Sequence, residues 1–360
     1  MAASFGSSPS GVPGANARPV HTRALEIELL RGERGKIRAR GTILDLRKQG
    51  FVPTGGELQT SGIIHHMGVA ARIDAESRVI ESLEPSQPVV AFEASEMTSG
   101  ESCRDIAGGL QELVGKPLDA GFARELSACF GGPRGCSHLL TLVQFLGSTL
   151  PHALAWEKKF VGGDSDLRTN GERFFKRSIL LDGLDFDSEP VMDLVVQLND
   201  VHSLPAAKVV NPMDRFLHQQ EVKLAVRVDL QKMTFVSLSG DGRERNPENF
   251  AREEWLSLNS PLSILQGQPA LRGLARSVMT SFGEAFPAAP LRDALLFIAP
   301  GLIQCLAARA QRVLESDAGS EQAGSSIRQL GGLPDSCYIW RAGGPGQQRR
   351  QGGPTSQGSE

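Results

Sequence analysis

The spacing of apolar and polar positions changes character along the chain. Residues 24–32 (ALEIELLRG) and 36–47 (KIRARGTILDLR) alternate or are rich in β-formers, which predicts antiparallel strands. The stretch 63–85, IIHHMGVAARIDAESRVIESLEP, predicts a hairpin turning at Ala75-Glu76-Ser77. Beyond it the period becomes helical. SCRDIAGGLQELVG, PLDAGFARELSACFG and CSHLLTLVQFLGSTLPHALAW carry apolar residues three and four apart. Strands followed by helices predict an α+β unit, an antiparallel sheet covered on one face by about three helices.

The pattern then repeats. Residues 115–155 align with 267–307 without a gap, so that Gly115, Pro117, Gly121, Phe130 and Phe145 meet Gly267, Pro269, Gly273, Phe282 and Phe297. Upstream, with small shifts, Arg23 meets Arg177, Asp45 meets Asp200 and Asp74 meets Asp229. This predicts a tandem duplication with copies at 20–156 and 173–312, joined by a charged linker, 157–172. The segment 1–19 reads as a disordered leader. The segment 313–360 reads as a mostly disordered tail, with Cys337-Tyr338-Ile339-Trp340 as a short docking segment. Two units in one chain predict a pseudo-two-fold pair resembling a fused homodimer; further oligomerisation stays open.

The copies differ where chemistry would sit. Opposite Cys103, His65, Cys136 and His138 the second copy has Trp255, Gln220, Ala288 and Pro290. That contrast predicts one working copy and one scaffolding copy.

The stretch 131–140, GGPRGCSHLL, concentrates the reactive side chains. Its glycines allow close backbone approach, and Ser137 is a natural N-cap for the leucine-rich helix that follows. Cys136 then faces the positive end of the helix dipole, which favours thiolate. His138, two residues on, converges with it if both precede the helix. With Cys103 and His65 they form a four-ligand set suited to zinc or iron. Arg134 and the glycine backbone predict a clamp for a carboxylate or phosphate. His21, Asp45 and Asp74 are candidates for a supporting shell, although Asp45 and Asp74 have counterparts in the second copy, which favours a turn or a cap. The competing reading of the cysteines is simple packing, since free Cys is among the most buried residue types.

Several pieces together are familiar: VHTR at 20–23, ILDL at 43–46, IHHM at 64–67, RIDAESRVIESLE at 72–84, Cys103, LVGKPLDAGF at 113–122 and GGPRGCSHL at 131–139. On these the first half resembles a bacterial family of domains of unknown function, DUF2889. The family shows His-Asp-Met where this chain has His65-His66-Met67, and Thr where it has Ser137. The resemblance implies His21, His65, Cys103, Cys136 and His138 as site residues and brings no activity with it.

Composition narrows the classes. The chain has 360 residues, 40% hydrophobic and 22% charged, with net charge −3, one Tyr and three Trp. Such a balance argues against a general nucleic-acid binder. No apolar run long enough to span a bilayer and no secretory h-region is evident, which predicts no membrane partner. Five cysteines, an odd number, predict reduced thiols in a cytoplasmic protein. The expected function is a metal-dependent enzyme, with zinc or iron, acting by hydrolysis or a lyase step on a small carboxylated or otherwise anionic substrate. Three alternatives stay open: a metal or iron–sulfur carrier; a metal-free thiol enzyme with Cys136 as nucleophile and His65 as base; and a non-catalytic structural or interaction protein.

Overall fold

The computed structural model describes residues 17–54, 57–186, 189–248, 254–282, 288–309 and 332–351. The leader, apart from the residues at 17–19, and the tail outside 332–351 lie outside the described residues. The strands are β1 (Ala17–Arg31), β2 (Lys36–Arg47), β3 (Val52–Thr54), β4 (Glu57–Gln59), β5 (Gly62–Asp74), β6 (Ile80–Val89), β7 (Arg173–Phe186), β8 (Val191–Ser203), β9 (Phe216–Asp229), β10 (Thr234–Arg245) and β11 (Leu256–Ser257). The α-helices are α1 (Phe122–Phe130), α2 (Ser137–Trp156), α3 (Asn259–Leu262), α4 (Leu274–Ser281), α5 (Ala288–Ala308) and α6 (Pro345–Gln351).

Nine strands form one antiparallel sheet in the order β11-β10-β9-β8-β7-β1-β2-β5-β6, and β3 and β4 form a small separate ribbon. The two halves therefore share one sheet, joined where β1 pairs with β7. In that central pairing Leu25 faces Ile179, Arg23 faces Leu181 and Ile27 faces Arg177. Alternation fixes the faces. Leu25, Ile27 and Leu29 are fully buried, while Glu26 and Glu28 point to the other, partly exposed side. The hairpin predicted around residue 75 is present, with Asp74 accepting from the Ser77 backbone N–H at 2.8 Å and forming an ion pair with Lys36.

The helices lie on the buried face. α2 packs on β1, β2 and β5, and α5 on β1, β7, β8 and β9. The two long helices meet through Phe145 and Phe297, edge to face at 5.7 Å. By length and composition α2 with the turns after it and α5 would each suffice to cross a bilayer, which the sequence reading did not anticipate. Over half of each apolar window, 56%, is buried inside the molecule, as in the core helices of a globular protein. The segment SCRDIAGGLQELVG departs from the expected α-helix: Cys103 sits in a turn, and only Ala107–Leu113 forms a 3-10 helix. The linker is ordered. A single π turn (Glu157–Val161) and a 3-10 helix (Gly162–Leu167) lead to Arg168, which bridges Glu157 and Glu172.

Candidate functional site

The inward face of β2 carries Asp45 and, two residues on, Arg47. Asp45 is completely buried. Beside it on β1 are His21 and Arg23, and across from it on β5 is His65, its register partner. The start of α2 lowers His138 onto the same carboxylate. His138 Nε2 lies 3.1 Å and His65 Nδ1 3.4 Å from Asp45 Oδ2, while His21 Nε2 lies 2.9 Å from Oδ1. Arg23 contacts both oxygens, Nε to Oδ1 at 3.1 Å and Nη2 to Oδ2 at 3.2 Å, and donates through Nη1 to the carbonyl of Pro300 at 2.7 Å. The His65 and His138 rings lie 3.8 Å apart.

One ligand atom each from Asp45, His65 and His138 falls within 4.8 Å of the others, and all three residues are buried. Metal–ligand bonds of about 2.0–2.2 Å place neighbouring ligand atoms roughly 3 Å apart, close to the spacings around Asp45 Oδ2. His65 Nδ1 is buried and, beyond its 3.4 Å approach to Asp45 Oδ2, makes no hydrogen bond among the described residues, so it is free to take a metal.

Electrostatics here are set by burial. Desolvation opposes ionisation of Asp45, and the Arg23 guanidinium with the bonds from His138, His21 and His65 outweighs it. The carboxyl is thus held well below its usual range. Desolvation pushes His138 down to about 3, with the neighbouring His65 adding to the effect, and it also lowers His21. Cys136 departs from expectation. It is the residue preceding α2, so that Ser137 opens the helix and makes no capping bond. Its thiol is buried and pushed up to about 11, because desolvation outweighs the backbone N–H groups of the helix start. Cys136 Sγ sits 3.8 Å from His138 Nδ1 and 3.7 Å from Met67 Sδ.

The cluster opens into a cavity of about 100 Å³. Arg47, His65, Cys103, Cys136 and His138 line it on the first-half side, and Ile303, Gln304 and Ala307 of α5 line it from the second half. Gln304 Nε2 lies 3.3 Å from His138 Nε2. The remaining wall is the C-terminal segment 332–340, including Cys337, Tyr338, Ile339 and Trp340. Tyr338 donates its backbone N–H to the Gly135 carbonyl at 2.9 Å, Trp340 packs edge to face on Phe92, and Arg341 makes a two-pronged ion pair with Glu101 at 2.7 Å. The docking segment expected at 337–340 is thus seated directly over the cavity.

Of the four residues expected as ligands, the structure brings His65 and His138 together, and Asp45, expected as support, lies at their centre. Cys103 and Cys136 line the cavity but fall outside the three-residue cluster. The Cys103 thiol is pushed well above its usual range by burial, with Cys136 and Cys337 adding to this. His21 stands behind Asp45 as expected. Asp74 is a hairpin-turn residue on no wall of the cavity. Arg134 is exposed in a 3-10 turn, donates to the Ser127 carbonyl at 3.2 Å and does not line the cavity. Arg23, Arg47 and Gln304 were missed. Arg47 was within reach of sequence reasoning, because residues two apart on a strand share a face. Gln304 carries no local signal.

A second buried Arg–Asp cluster lies under α5. Arg177 binds Asp200 with two parallel bonds, 2.7 and 2.6 Å, and Asp293 at 2.5 Å. Burial opposes its charge, and the two carboxylates outweigh that, so its pKa is raised. His152 of α2 reaches Asp200 at 3.5 Å and is pushed down to about 3 by desolvation, with Arg177 adding.

Fold and site thus define an α+β protein with one wide antiparallel sheet and a buried His/Asp cluster beneath a helix start. Residues 21–151, within the first half of the chain, match the family described as Protein of unknown function (DUF2889). The match spans every residue of the Asp45 cluster and ends before Gln304 and the covering segment. No curated protein and no solved structure matches the chain.

Proposed function

We propose that the protein binds one divalent metal ion, zinc or iron, through Asp45, His65 and His138, and uses it on a small anionic substrate in the adjoining cavity. The observation that carries this reading is the convergence of the three ligand atoms in a buried pocket, with His65 Nδ1 left without another partner. Two histidines and a carboxylate leave coordination positions open, as catalytic zinc and non-haem iron sites do. Bound there, the metal would polarise a carbonyl or activate water for a hydrolytic or lyase step. His21 and Arg23 fix the carboxylate, and Gln304 stands where it can meet a substrate oxygen.

The two halves are read as copies related by a pseudo-two-fold axis through the Leu25–Ile179 pair. The symmetric register around that pair and the Phe145–Phe297 contact support this. In this reading each long helix reaches across: Gln304 of α5 completes the first site, and His152 of α2 its counterpart. The protein is read as cytoplasmic, with reduced thiols and without a nucleic-acid or membrane partner.

The test is metal content by plasma mass spectrometry on untagged protein. Wild type is expected to hold close to one zinc or iron, and Asp45→Asn and His138→Ala to hold less than a tenth of it while remaining folded. Metal-free wild type after growth with added zinc and iron would overturn the proposal. A metal-free thiol enzyme is the second reading, favoured by the 3.8 Å approach of Cys136 Sγ to His138 Nδ1. It predicts rapid, stoichiometric labelling of Cys136 by iodoacetamide in metal-free protein.

A further inference from the structure

Arg47 is a buried cation on the cavity wall. It is 4% exposed, yet no carboxylate among the described residues forms an ion pair with it. Among the described residues Nη1 makes a long contact, 3.4 Å, to the Gln59 carbonyl, and Nε has no partner. A guanidinium offers five donors in a planar fork, and leaving them unmet in a low-dielectric wall is costly. The corresponding position of the second half shows the difference. Arg47 faces His21 in the β1–β2 ladder, and His202 faces Phe175 in the β7–β8 ladder. His202 is met by the carboxylate of Glu157 at 2.7 Å. Arg47 instead lines the cavity.

The geometry points to Arg47 as the receptor for a ligand carboxylate, and to a short aliphatic carboxylic acid as the class of substrate. The inference rests on the reading of the Asp45 cavity as the working site. A carboxylate fits because it accepts a guanidinium fork through two parallel bonds. Much of the wall is apolar and suits an apolar body: Ile64, Phe92, Ile106, Ile303, Ile339 and Trp340. Size sets the limit. A cavity that takes up benzene has about 150 Å³, and this one has about 100 Å³. A branched chain of a few carbons fits better than an aromatic ring.

The experiment is calorimetric titration of purified full-length protein with isobutyrate and, as its neutral isostere, isobutyramide. Wild type is expected to bind isobutyrate at least tenfold more tightly than isobutyramide. Arg47→Met, similar in bulk and uncharged, is expected to lose that preference while keeping the wild-type metal content and melting temperature. Arg47→Lys, which keeps the charge and loses the fork, should fall between them. Equal affinity of wild type for the two ligands, binding of neither, or an unchanged preference in Arg47→Met would each overturn the inference. The two proposals fail separately. Metal-free wild type that still prefers isobutyrate through Arg47 overturns the metal reading alone. Metal-loaded wild type indifferent to Arg47→Met overturns this one alone.

Discussion

The two buried Arg–Asp clusters start from the same pair of residue types and end in opposite states. Arg177 is locked. Two carboxylates hold it at 2.5–2.7 Å, and Trp156 packs nearby against His152 and His218 at 4.5 and 4.2 Å. Arg23 is held more loosely, at 3.1 and 3.2 Å from a single carboxylate. In the residue-by-residue alignment of the halves, Thr141 stands where the second half has Asp293, and its hydroxyl turns back to the Ser137 carbonyl. Ala308 of α5 is the aligned counterpart of Trp156 of α2. Arg23 sends its spare donor to the Pro300 carbonyl instead. A few substitutions thus separate a closed electrostatic staple from a pocket with histidines around a carboxylate. Arg177 is met by two carboxylates of its own half, whereas Arg47 is met by none among the described residues.

The largest effect that would break this contrast is on stability. Asp200→Asn leaves Arg177 buried with half its counter-charge. Removing one partner of such a network costs about 3–5 kcal/mol, so urea unfolding should show a large loss with metal content unchanged. Asp45→Asn should do the reverse, with a smaller stability loss and the metal gone. Equal stability costs with unchanged metal in both variants would mean that the first cluster is merely a second staple.

A smaller effect is expected from pH. His152 is held near 3 in the folded protein against 6.5 as its ordinary value. Between those values the unfolded chain binds the extra proton, so stability falls as pH drops below about 6.5. For this one residue the loss at pH 5 is at most about 2 kcal/mol. His21, His138 and His202 shift in the same direction and steepen the fall. Urea midpoints at pH 7.5 and 5 should separate in wild type and lie closer together in His152→Phe. A gap unaltered by that substitution would show that His152 protonates without opposition from its surroundings.

The smallest effect sharpens the contrast. Gln220→His restores a histidine at the position corresponding to His65. With Pro290 where the first half has His138, and with both oxygens of Asp200 taken by Arg177, metal content should stay at the wild-type value. A second equivalent of metal in that variant would mean the second cluster is more open than its short contacts imply.

Much of the fold was legible in the sequence because it is written in near neighbours. Alternation in ALEIELLRG sets which face of β1 is buried, and the three-four spacing after Cys136 sets α2. Local reasoning failed where a local preference met a nonlocal cost. The helix dipole at Cys136 is worth about a kcal/mol at most exposed sites, whereas burial shifts a thiol by several times that. Only tertiary packing reveals how completely Cys136 is buried. SCRDIAGGLQELVG likewise carries helical spacing, yet folds as a turn and a 3-10 helix.

The order of elements, the resemblance to a family in the first half, and the small set of histidines and cysteines from which a site had to be drawn can all be read along the chain. Which of them belong to the site follows from the packing. It brought Asp45 to the centre, left Cys103 and Cys136 on the wall, exposed Arg134, and set Arg47, Gln304 and the segment 332–340 around one cavity. The physical reason is range. Periodicity is read between residues a few positions apart, while a site is built by residues that meet only after a sheet has closed across 24 positions from His21 to Asp45 and a helix has crossed 166 from His138 to Gln304. Charge, burial and hydrogen-bond satisfaction, which decide the chemistry, belong to that assembled environment rather than to any one stretch of chain.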